Sequence, residues 1–208
     1  MIIEELRKQT RSHHDRIELG LDLMSPALDA EKYLAILRKL EALHLPLEAR
    51  IQARAEFPVV MEFCLPLRKK AHRLRLDRQA LGDISDIVPH RAPVLPALGT
   101  LGGVLGALYV VEGSTLGGQV IARRLRERLG IDAHSGAGFF SGYAERTGTM
   151  WKELVAFLAA QVPEREELRA EFIAEVVRGA IDTFTAFERA MRAEIPLLPE
   201  SFTVAAPV

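Results

Sequence analysis

Two stretches of the chain carry residues whose types and spacing suit chemistry at a bound group. The first, LRKQTRSHHDRIE (residues 6–18), places two adjacent imidazoles, His13 and His14, beside an apolar stripe of helical period. By helical angle His13 lies nearer the centre of that stripe, and His14 lies on its flank. A histidine on such a face is more often a hydrogen-bonded core residue, but a neutral imidazole is also the commonest metal ligand. The pattern leaves both roles open.

The second stretch, YVVEGSTLGGQV (residues 109–120), places three glycines where the surrounding sequence predicts a helix. Glycine costs roughly 1 kcal/mol per residue relative to alanine in a helix. Together with Gly102 and Gly106, the residues Tyr109, Gly113 and Gly117 fall within an arc of about 80° at 100° per residue. One side of this helix is therefore nearly free of side chains over about four turns.

Two interpretations of this glycine face are open. Small residues let two helix backbones approach closely, and the face could serve packing alone. Alternatively, a flat ligand lies against the helix and leaves no room for Cβ atoms, while glycine also permits a bend. A phosphate loop is a poorer match, because GSTLGGQ lacks the GxxxxGK[ST] spacing and no strand precedes it. An imidazole on one wall and a bare helix on the other would suit a large planar metal cofactor.

Helices must position these residues, because alternating strand patterns are absent and Ala, Leu, Glu and Arg dominate. The sequence predicts an all-α fold, a compact helical bundle forming a single domain over 1–208. Pro26 suits a helix start and Gly130 suits a helix end. The predicted helices span 2–19, 26–44, 46–57, 65–81, 95–129, 149–161 and 163–193, with a connection over 83–96, a glycine-rich loop over 131–148 and a C-terminal tail over 196–208.

Composition limits the binding partners and cellular locations that fit this chain. A formal net charge of −1 leaves no global basic field for nucleic acid. Cys64 is the only cysteine, so neither an internal disulfide nor a thiolate metal cluster can form, which suits a reducing, cytoplasmic location. Residues 92–111 carry no charge and could span a bilayer by length. Because Pro93 and Pro96 break the start of that run and Glu112 follows it, we predict no membrane span.

Both stretches match one family. LRKQTRSHHDRIE resembles the proximal-helix pattern of haem oxygenases, and YVVEGSTLGGQV resembles their distal helix, particularly the Y-V-x-E-G-S opening of the bacterial biliverdin-producing branch. The separation of the two motifs, the chain length and the all-α prediction also fit, so the resemblance covers the whole domain. It implies that His14 is the iron ligand, since Thr10 and Glu18 fix the register, although periodicity alone favours His13.

The resemblance implies further site residues on the distal side. Gly113 and Gly117 match the two glycines whose backbone contacts haem in the family, and Gly118 lies beside them. Many members carry an aspartate after the first glycine to organise water near bound oxygen, whereas this chain has Ser114. A hydroxyl can still form a hydrogen bond, but it brings no charge. Gly113, Ser114 and Gly117 are therefore the implied catalytic group.

The haem propionates and ring have implied contacts as well. Arg7 lies two turns before His14 on the same side of its helix, and an arginine can hold a carboxylate through two hydrogen bonds. A solvated surface charge is the alternative for Arg7. The resemblance further assigns Tyr109 and Lys152 to the rim of the pocket. Phe184 and Phe187 are placed near the ring, although ordinary core packing is the better explanation for them.

The implied activity is oxidative cleavage of haem, as both cofactor and substrate, with O2 as co-substrate and biliverdin, carbon monoxide and ferrous iron as products. No flavin or nicotinamide motif is present, so electrons must come from a separate donor such as a ferredoxin or a flavin reductase. The basic segments 67–78 and 122–128 could dock an acidic donor, or could be ordinary solvated helix faces. A bilin acceptor such as a bacteriophytochrome is a further implied partner.

Two other functions fit the same motifs. A haem carrier without turnover would keep His14 and the glycine face. A helical interaction module would use the glycine face to pack another helix. The sequence does not distinguish among the meso carbons of the ring, because that choice depends on how haem is rotated in its pocket.

Overall fold

The computed structural model describes residues 2–54, 56–64, 68–86 and 93–192, and their secondary structure is helical without strands. The predicted all-α fold is confirmed. The predicted tail over 196–208, parts of two predicted segments at 65–67 and 87–92, and the side chain of Cys64 lie outside the described residues. In chain order the helices are α1 (Ile2–Leu21), α2 (Ala30–Gln52), α3 (Pro58–Cys64), α4 (Ala71–Ala80), α5 (Leu101–Leu129), α6 (Gly138–Ser141), α7 (Thr147–Ala160) and α8 (Glu166–Arg192), with a 3₁₀ turn at Ala144–Arg146.

Helix α2 differs most from the prediction. The sequence predicts a break at Pro46, yet α2 runs through it as one helix. Leu43, Leu47 and Ile51 form a buried stripe across the proline, and their burial outweighs the lost backbone hydrogen bond. The helix also begins later than Pro26, because the Asp29 carboxylate accepts a hydrogen bond from the backbone N–H of Lys32 at 2.8 Å.

Helix α5 is the central element. It begins at Leu101 rather than 95, because the Thr100 hydroxyl accepts a hydrogen bond from the Gly103 N–H at 3.1 Å and so caps the helix. It ends before Gly130, whose φ of 70° is the left-handed conformation that glycine adopts freely. By length and composition α5 is the one helix of the described part that could cross a membrane, but 61% of its apolar window is buried inside the protein.

Helices α5 and α8 make a close backbone contact. A Cβ atom added at Gly179 would lie 2.5 Å from the Gly103 carbonyl oxygen, and one added at Gly106 would collide with the Val176 carbonyl oxygen. Glycine at these positions therefore lets the two backbones touch. Helix α1 packs along the same helix α8, so α8 supports both α1 and α5 and sets the distance between them.

The predicted loop over 131–148 contains ordered structure. It includes α6, which packs on α5 and α4. The Asp77 carboxylate of α4 accepts hydrogen bonds from the N–H groups of Gly138 and Phe139, both at 2.7 Å. The Tyr33 hydroxyl of α2 donates to the Gly136 carbonyl oxygen at 2.8 Å. Helices α2 and α4 thus hold the segment that carries Phe139 and Phe140.

Candidate functional site

A cavity of about 670 Å³ opens between α1 and α5. This volume is within the usual range for cofactor and ligand sites. His14 lies on one wall and Gly113, Ser114 and Gly117 lie on the other. The remaining described lining comprises Arg7, Thr10, Arg11, Asp15, Ile17, Glu18, Leu21, Leu40, His44, Tyr109, Val110, Leu116, Phe139, Phe140, Trp151, Phe184 and Phe187.

The two histidines of α1 have different environments. His13 is mostly buried, and its Nδ1 lies 2.8 Å from Oε1 of Glu188 on α8. Arg16 also pairs with Glu188, and its Nη2 lies 2.7 Å from the same Nδ1. One Nδ1 cannot both donate to Glu188 and accept from Arg16. We therefore assign the hydrogen bond of Nδ1 to the Glu188 carboxylate, which also accepts from Arg16. His13 is therefore committed to holding α1 against α8.

Glu188 itself shows the effect of these partners. Burial raises the pKa of its carboxyl, but the hydrogen bonds from Arg16 and His13 outweigh burial, and the net pKa lies below the usual range. At neutral pH the carboxylate is ionised and can hold both side chains.

His14, by contrast, faces the cavity. Its side chain is 52% exposed, and its Nδ1 lies 3.6 Å from Oε1 of Glu18, one turn further along α1. A carboxylate on Nδ1 is the usual means of orienting an imidazole that binds metal through Nε2. The Phe184 ring approaches His14 edge-on at 6.4 Å between centroids. Of the two neighbouring histidines, His14 is thus the one that lines the cavity and can present a nitrogen to a ligand there.

The opposite wall is the C-terminal part of the glycine face. A Cβ atom at Gly117 would meet no atom within 4 Å, and one at Gly113 would only touch the Trp151 ring at 3.7 Å. These glycines are therefore not required by protein packing. They leave a side-chain-free surface toward the cavity, against which a flat group can lie. Ser114 stands at the edge of this wall, where its hydroxyl donates to the Val111 carbonyl oxygen at 2.8 Å.

Tyr109 connects the two walls. Its side chain is 8% exposed, hydrogen-bonds with Thr10 of α1 and feels the charge of Arg7. Burial raises the pKa of the phenol, while Thr10 and Arg7 act in the opposite direction. Arg7 and Arg11 of α1 are exposed and line the mouth of the cavity, where it opens to solvent. The mouth thus offers two guanidinium groups and a phenol, which suit carboxylates of a ligand.

A buried ionic cluster fixes the rotation of α5. Glu112, the residue before Gly113, is 2% exposed. Its carboxylate pairs with Arg68 and with Lys70, the latter at 2.9 Å, and accepts a hydrogen bond from the Tyr143 hydroxyl at 2.8 Å. Burial lowers the pKa of Lys70, while Glu112 acts in the opposite direction. Because Glu112 points into this cluster, Gly113 and Gly117 point into the cavity.

Two sequence-predicted site residues lie away from the cavity lining. A Cβ atom at Gly118 would collide with the carbonyl oxygen of Phe140, so this glycine serves the packing of α6 on α5. Lys152 is exposed on α7, next to Trp151. The others, Arg7, His14, Tyr109, Gly113, Ser114, Gly117, Phe184 and Phe187, are brought together in one cavity.

Sequence reasoning missed several lining residues. The sequence predicts only that His44 ends a helix and that Phe139 and Phe140 lie in a glycine-rich loop. Two adjacent phenylalanines within such a loop are a usable signal, because large apolar side chains are seldom exposed. Arg11 follows Arg7 by one helical turn, which is also readable from sequence. His44 gives no such local signal.

A larger groove of about 990 Å³ lies elsewhere, between α1, α7 and α8. Its described lining is mainly aliphatic, with Ile2, Ile173, Val177 and Ile181 among its members, and includes no imidazole. The chemistry of the site therefore favours the smaller cavity.

Comparison with known proteins identifies the family of this chain. The family model described as haem oxygenase matches residues 1–193, so the chain belongs to the haem oxygenase family. A curated haem oxygenase of Xanthomonas campestris pv. campestris (strain 8004) is 34% identical over 127 residues, which is 61% of this chain and 70% of the relative. The NO- and CO-bound haem oxygenase of Neisseria meningitidis shares the fold, with a TM-score of 0.71 at 20% identity over 97% of this chain and 98% of that one. As a member of this family the chain is an enzyme that binds and degrades haem.

Proposed function

We propose that this protein cleaves haem oxidatively, with O2 as co-substrate, to biliverdin, carbon monoxide and ferrous iron. The observation that carries the proposal is the cavity of about 670 Å³ between the His14 imidazole and the bare face at Gly113 and Gly117. One wall offers an imidazole nitrogen, and the other offers backbone without side chains. That pair of walls suits a planar metal macrocycle.

The described residues fit haem in definite roles. His14 would hold the iron through Nε2 while Glu18 orients the ring. Gly113 and Gly117 would let the distal backbone lie against the macrocycle, and Arg7 and Tyr109 would bind the propionates at the mouth. When bound, haem supplies an iron that activates O2 and the meso carbon that is oxidised.

The apolar part of the lining would exclude bulk water from the ring. Phe184 and Phe187 of α8 are both 6% exposed and both line the cavity. Phe139 and Phe140 close the cavity from α6. Ser114 would meet the ligand as a hydrogen-bond acceptor, since its proton is donated to Val111. In this proposal Gly118 acts through packing alone, and Lys152 remains a predicted rim residue.

Electrons would come from a separate acidic protein, such as a ferredoxin or a flavin reductase. Of the two predicted docking segments, the one over 122–128 suits this role better. Its arginines Arg123 and Arg126 are exposed, whereas Arg68, Lys70 and Arg78 of the other segment are buried in ion pairs. We further propose a cytoplasmic location and a bilin acceptor such as a bacteriophytochrome as product partner.

The test is to add hemin to the purified protein, record the visible spectrum and then supply a reductant under air. We expect a sharp Soret band that bleaches into the spectrum of biliverdin, with release of carbon monoxide and ferrous iron. A Soret band that persists under these conditions would establish a haem carrier instead. Absence of any Soret band would favour a helical interaction module.

Matched histidine variants locate the ligand. We expect His14→Ala to lose the spectrum of imidazole-ligated haem, because its nitrogen is the one that faces the cavity. His13→Ala should keep that spectrum and lose only stability, because it breaks the contact with Glu188. The reverse result would assign the iron to His13 and contradict the proposal.

A further inference from the structure

Helix α6 forms the aromatic end of the cavity and lies between two longer helices. Its residues Phe139 and Phe140 line the cavity. On the α5 side, the Phe140 carbonyl oxygen occupies the place that a Cβ atom of Gly118 would take. On another side, α6 packs on α4. Because α6 consists of Gly138–Ser141 only, it is too short to be stable alone and depends on these neighbours for its position.

Two side chains of α4 hold α6 at both of its ends. At the first end, the Asp77 carboxylate accepts the N–H groups of Gly138 and Phe139, both at 2.7 Å and one through each oxygen. At the other end, the Arg73 guanidinium donates to the carbonyl oxygen of Gly142, the residue after the helix. Arg73 and Asp77 are four residues apart and therefore share one face of α4. We call this pair the α6 clamp.

The acidic member of the α6 clamp makes an unusually close contact. Asp77 is 3% exposed, and a Cβ atom at position 138 would lie 2.9 Å from its Oδ1, so glycine at this position allows the approach. Burial raises the pKa of the Asp77 carboxyl to about 6, while the Phe139 and Gly138 N–H groups and the charge of Arg73 act in the opposite direction. At neutral pH the carboxylate is therefore ionised. Hydrogen bonds to an ionised acceptor are roughly twice as strong as neutral ones.

The two aromatic rings of α6 make ring contacts with α2. The Phe139 ring packs edge-on against the His44 ring at 5.4 Å, and the Phe140 ring lies 6.2 Å from the Tyr33 ring. Neither nitrogen of His44 has a hydrogen-bond partner among the residues that the structure describes, so no polar contact joins it to Phe139. The position of both rings therefore follows the backbone of α6, and the α6 clamp holds that backbone.

We propose that the α6 clamp positions the substrate: it keeps the aromatic end of the cavity in one place, so that haem takes one rotation and one meso carbon is cleaved. A ring held at the mouth through its propionates can still turn in its plane, and a fixed wall limits that turn. Neither Asp77 nor Arg73 is among the described lining residues, so both act through α6 without touching haem. The choice of meso carbon rests on the proposed function above, whereas the holding of α6 does not.

The first experiment uses the haem-free protein and follows the exchange of its backbone amide hydrogens by NMR. Asp77→Asn keeps the size of the side chain but places an NH2 group against one of the two N–H donors. We expect the Gly138 and Phe139 amides to exchange about tenfold faster relative to the core of α5, the equivalent of one hydrogen bond to a charged group. Equal relative protection of these amides in the variant and the wild type would overturn the proposal.

Asp83→Asn is the matched control. Asp83 is buried just beyond the end of α4 but pairs with Arg38 and Arg78. This variant should lower the free energy of unfolding and leave the Gly138 and Phe139 amides as protected, relative to the core of α5, as in the wild type. If the control sped their exchange as much as Asp77→Asn does, the effect would be a general loss of stability and would contradict the proposal.

The second experiment separates the biliverdin isomers that each protein forms. We expect one main isomer from the wild type and from Asp83→Asn. Asp77→Asn and Arg73→Gln should each give about a fivefold larger share of other isomers, the factor that corresponds to one net hydrogen bond. An unchanged isomer ratio, whether or not turnover slows, would assign the α6 clamp to stability alone and overturn the proposal. Failure of the wild type to degrade haem would instead overturn the proposed function, and the amide exchange would still decide whether α4 holds α6.

Discussion

Four glycines of α5 form two pairs that share one helical face but have different neighbours. Gly102 and Gly106 lie against the backbone of α8, where an added Cβ atom would collide. Gly113 and Gly117 lie about two to four turns further along and face the cavity, where an added Cβ atom would find space. The same residue type thus allows close helix packing in one half and access for a ligand in the other. What differs is the element opposite, not the helix itself.

The largest predicted effect is a loss of stability on substitution of Glu112, which lies between the two pairs of glycines. Its carboxylate is buried with Arg68, Lys70 and Tyr143. Glu112→Gln removes the carboxylate that pairs with the buried Lys70 and leaves Arg68 with Glu153 alone, so we expect a loss of about 3–5 kcal/mol in the free energy of unfolding. Urea denaturation measures it. The exposed Glu127→Gln on the same helix is the control, and equal effects of the two variants would show that the cluster does not hold α5.

Gly106→Ala tests the part of the glycine face that packs against α8. The added Cβ atom would meet the backbone of Val176, Gly179 and Ala180, none of which can move without shifting α8. We expect this variant to be less stable than the wild type by about 1–3 kcal/mol, despite the better helix propensity of alanine. Urea denaturation of the haem-free protein is the measurement. A stabilised variant would show that α5 and α8 are not in close contact at this point.

On the cavity side, the buried imidazole of His44 makes stability depend on pH. Its pKa falls from 6.5 when unfolded to about 3 when folded, so between these values the unfolded chain binds more protons. The free energy of unfolding should therefore decrease on acidification by about 1.4 kcal/mol per pH unit from this group. Since His44→Gln removes that contribution, we expect the variant to gain on the wild type as the pH is lowered from about 6 to about 4.

Denaturation curves of both proteins over this pH range provide the check. Asp77 has the opposite effect on the pH dependence of stability, because burial raises the pKa of its carboxyl to about 6. Its contribution is the same in both proteins and cancels when their free energies of unfolding are subtracted. Parallel pH profiles would mean that His44 is hydrated enough to be protonated in the folded state.

The smallest effect on stability, with the opposite sign, is expected for Gly117→Ala. Its Cβ atom would meet no neighbour within 4 Å, so the gain in helix propensity should raise the stability of the haem-free protein by up to about 1 kcal/mol. The same methyl group should weaken hemin binding, because it occupies the wall that the ring needs. Denaturation and hemin titration of one variant thus test both statements. Lower stability, or unchanged hemin binding, would contradict the assigned role of this half.

Local patterns were sufficient for most of the helices. The helical period of apolar residues predicted α1, α5 and α8, and Gly130 predicted the end of α5, because caps and amphipathic stripes are encoded by residues close together in sequence. The predicted break at Pro46 was wrong for a non-local reason. Whether a proline ends a helix depends on how much apolar surface lies beyond it, and here Leu47 and Ile51 continue the buried stripe.

The site was predictable in part. The resemblance of two motifs indicated which helices face each other, and the predicted residues of both motifs, apart from Gly118, do line one cavity. The roles of His13 and His14 could not be separated by helical angle, because Glu188 decides between them from 175 positions away. The two halves of the glycine face were likewise indistinguishable without α8. His44 becomes notable only through its lack of partners, which is a property of the folded protein.

The anchoring of the segment over 136–139 determines which side of the haem pocket can yield. Tyr33 and Asp77 attach the aromatic side to two different helices, so that side should resist opening. The opposite edge is attached as well, because His13 and Arg16 of α1 pair with Glu188 of α8. Under the proposed function, haem should therefore enter through the exposed side of the cavity beside Arg7 and Arg11, while Phe139 and Phe140 keep their positions.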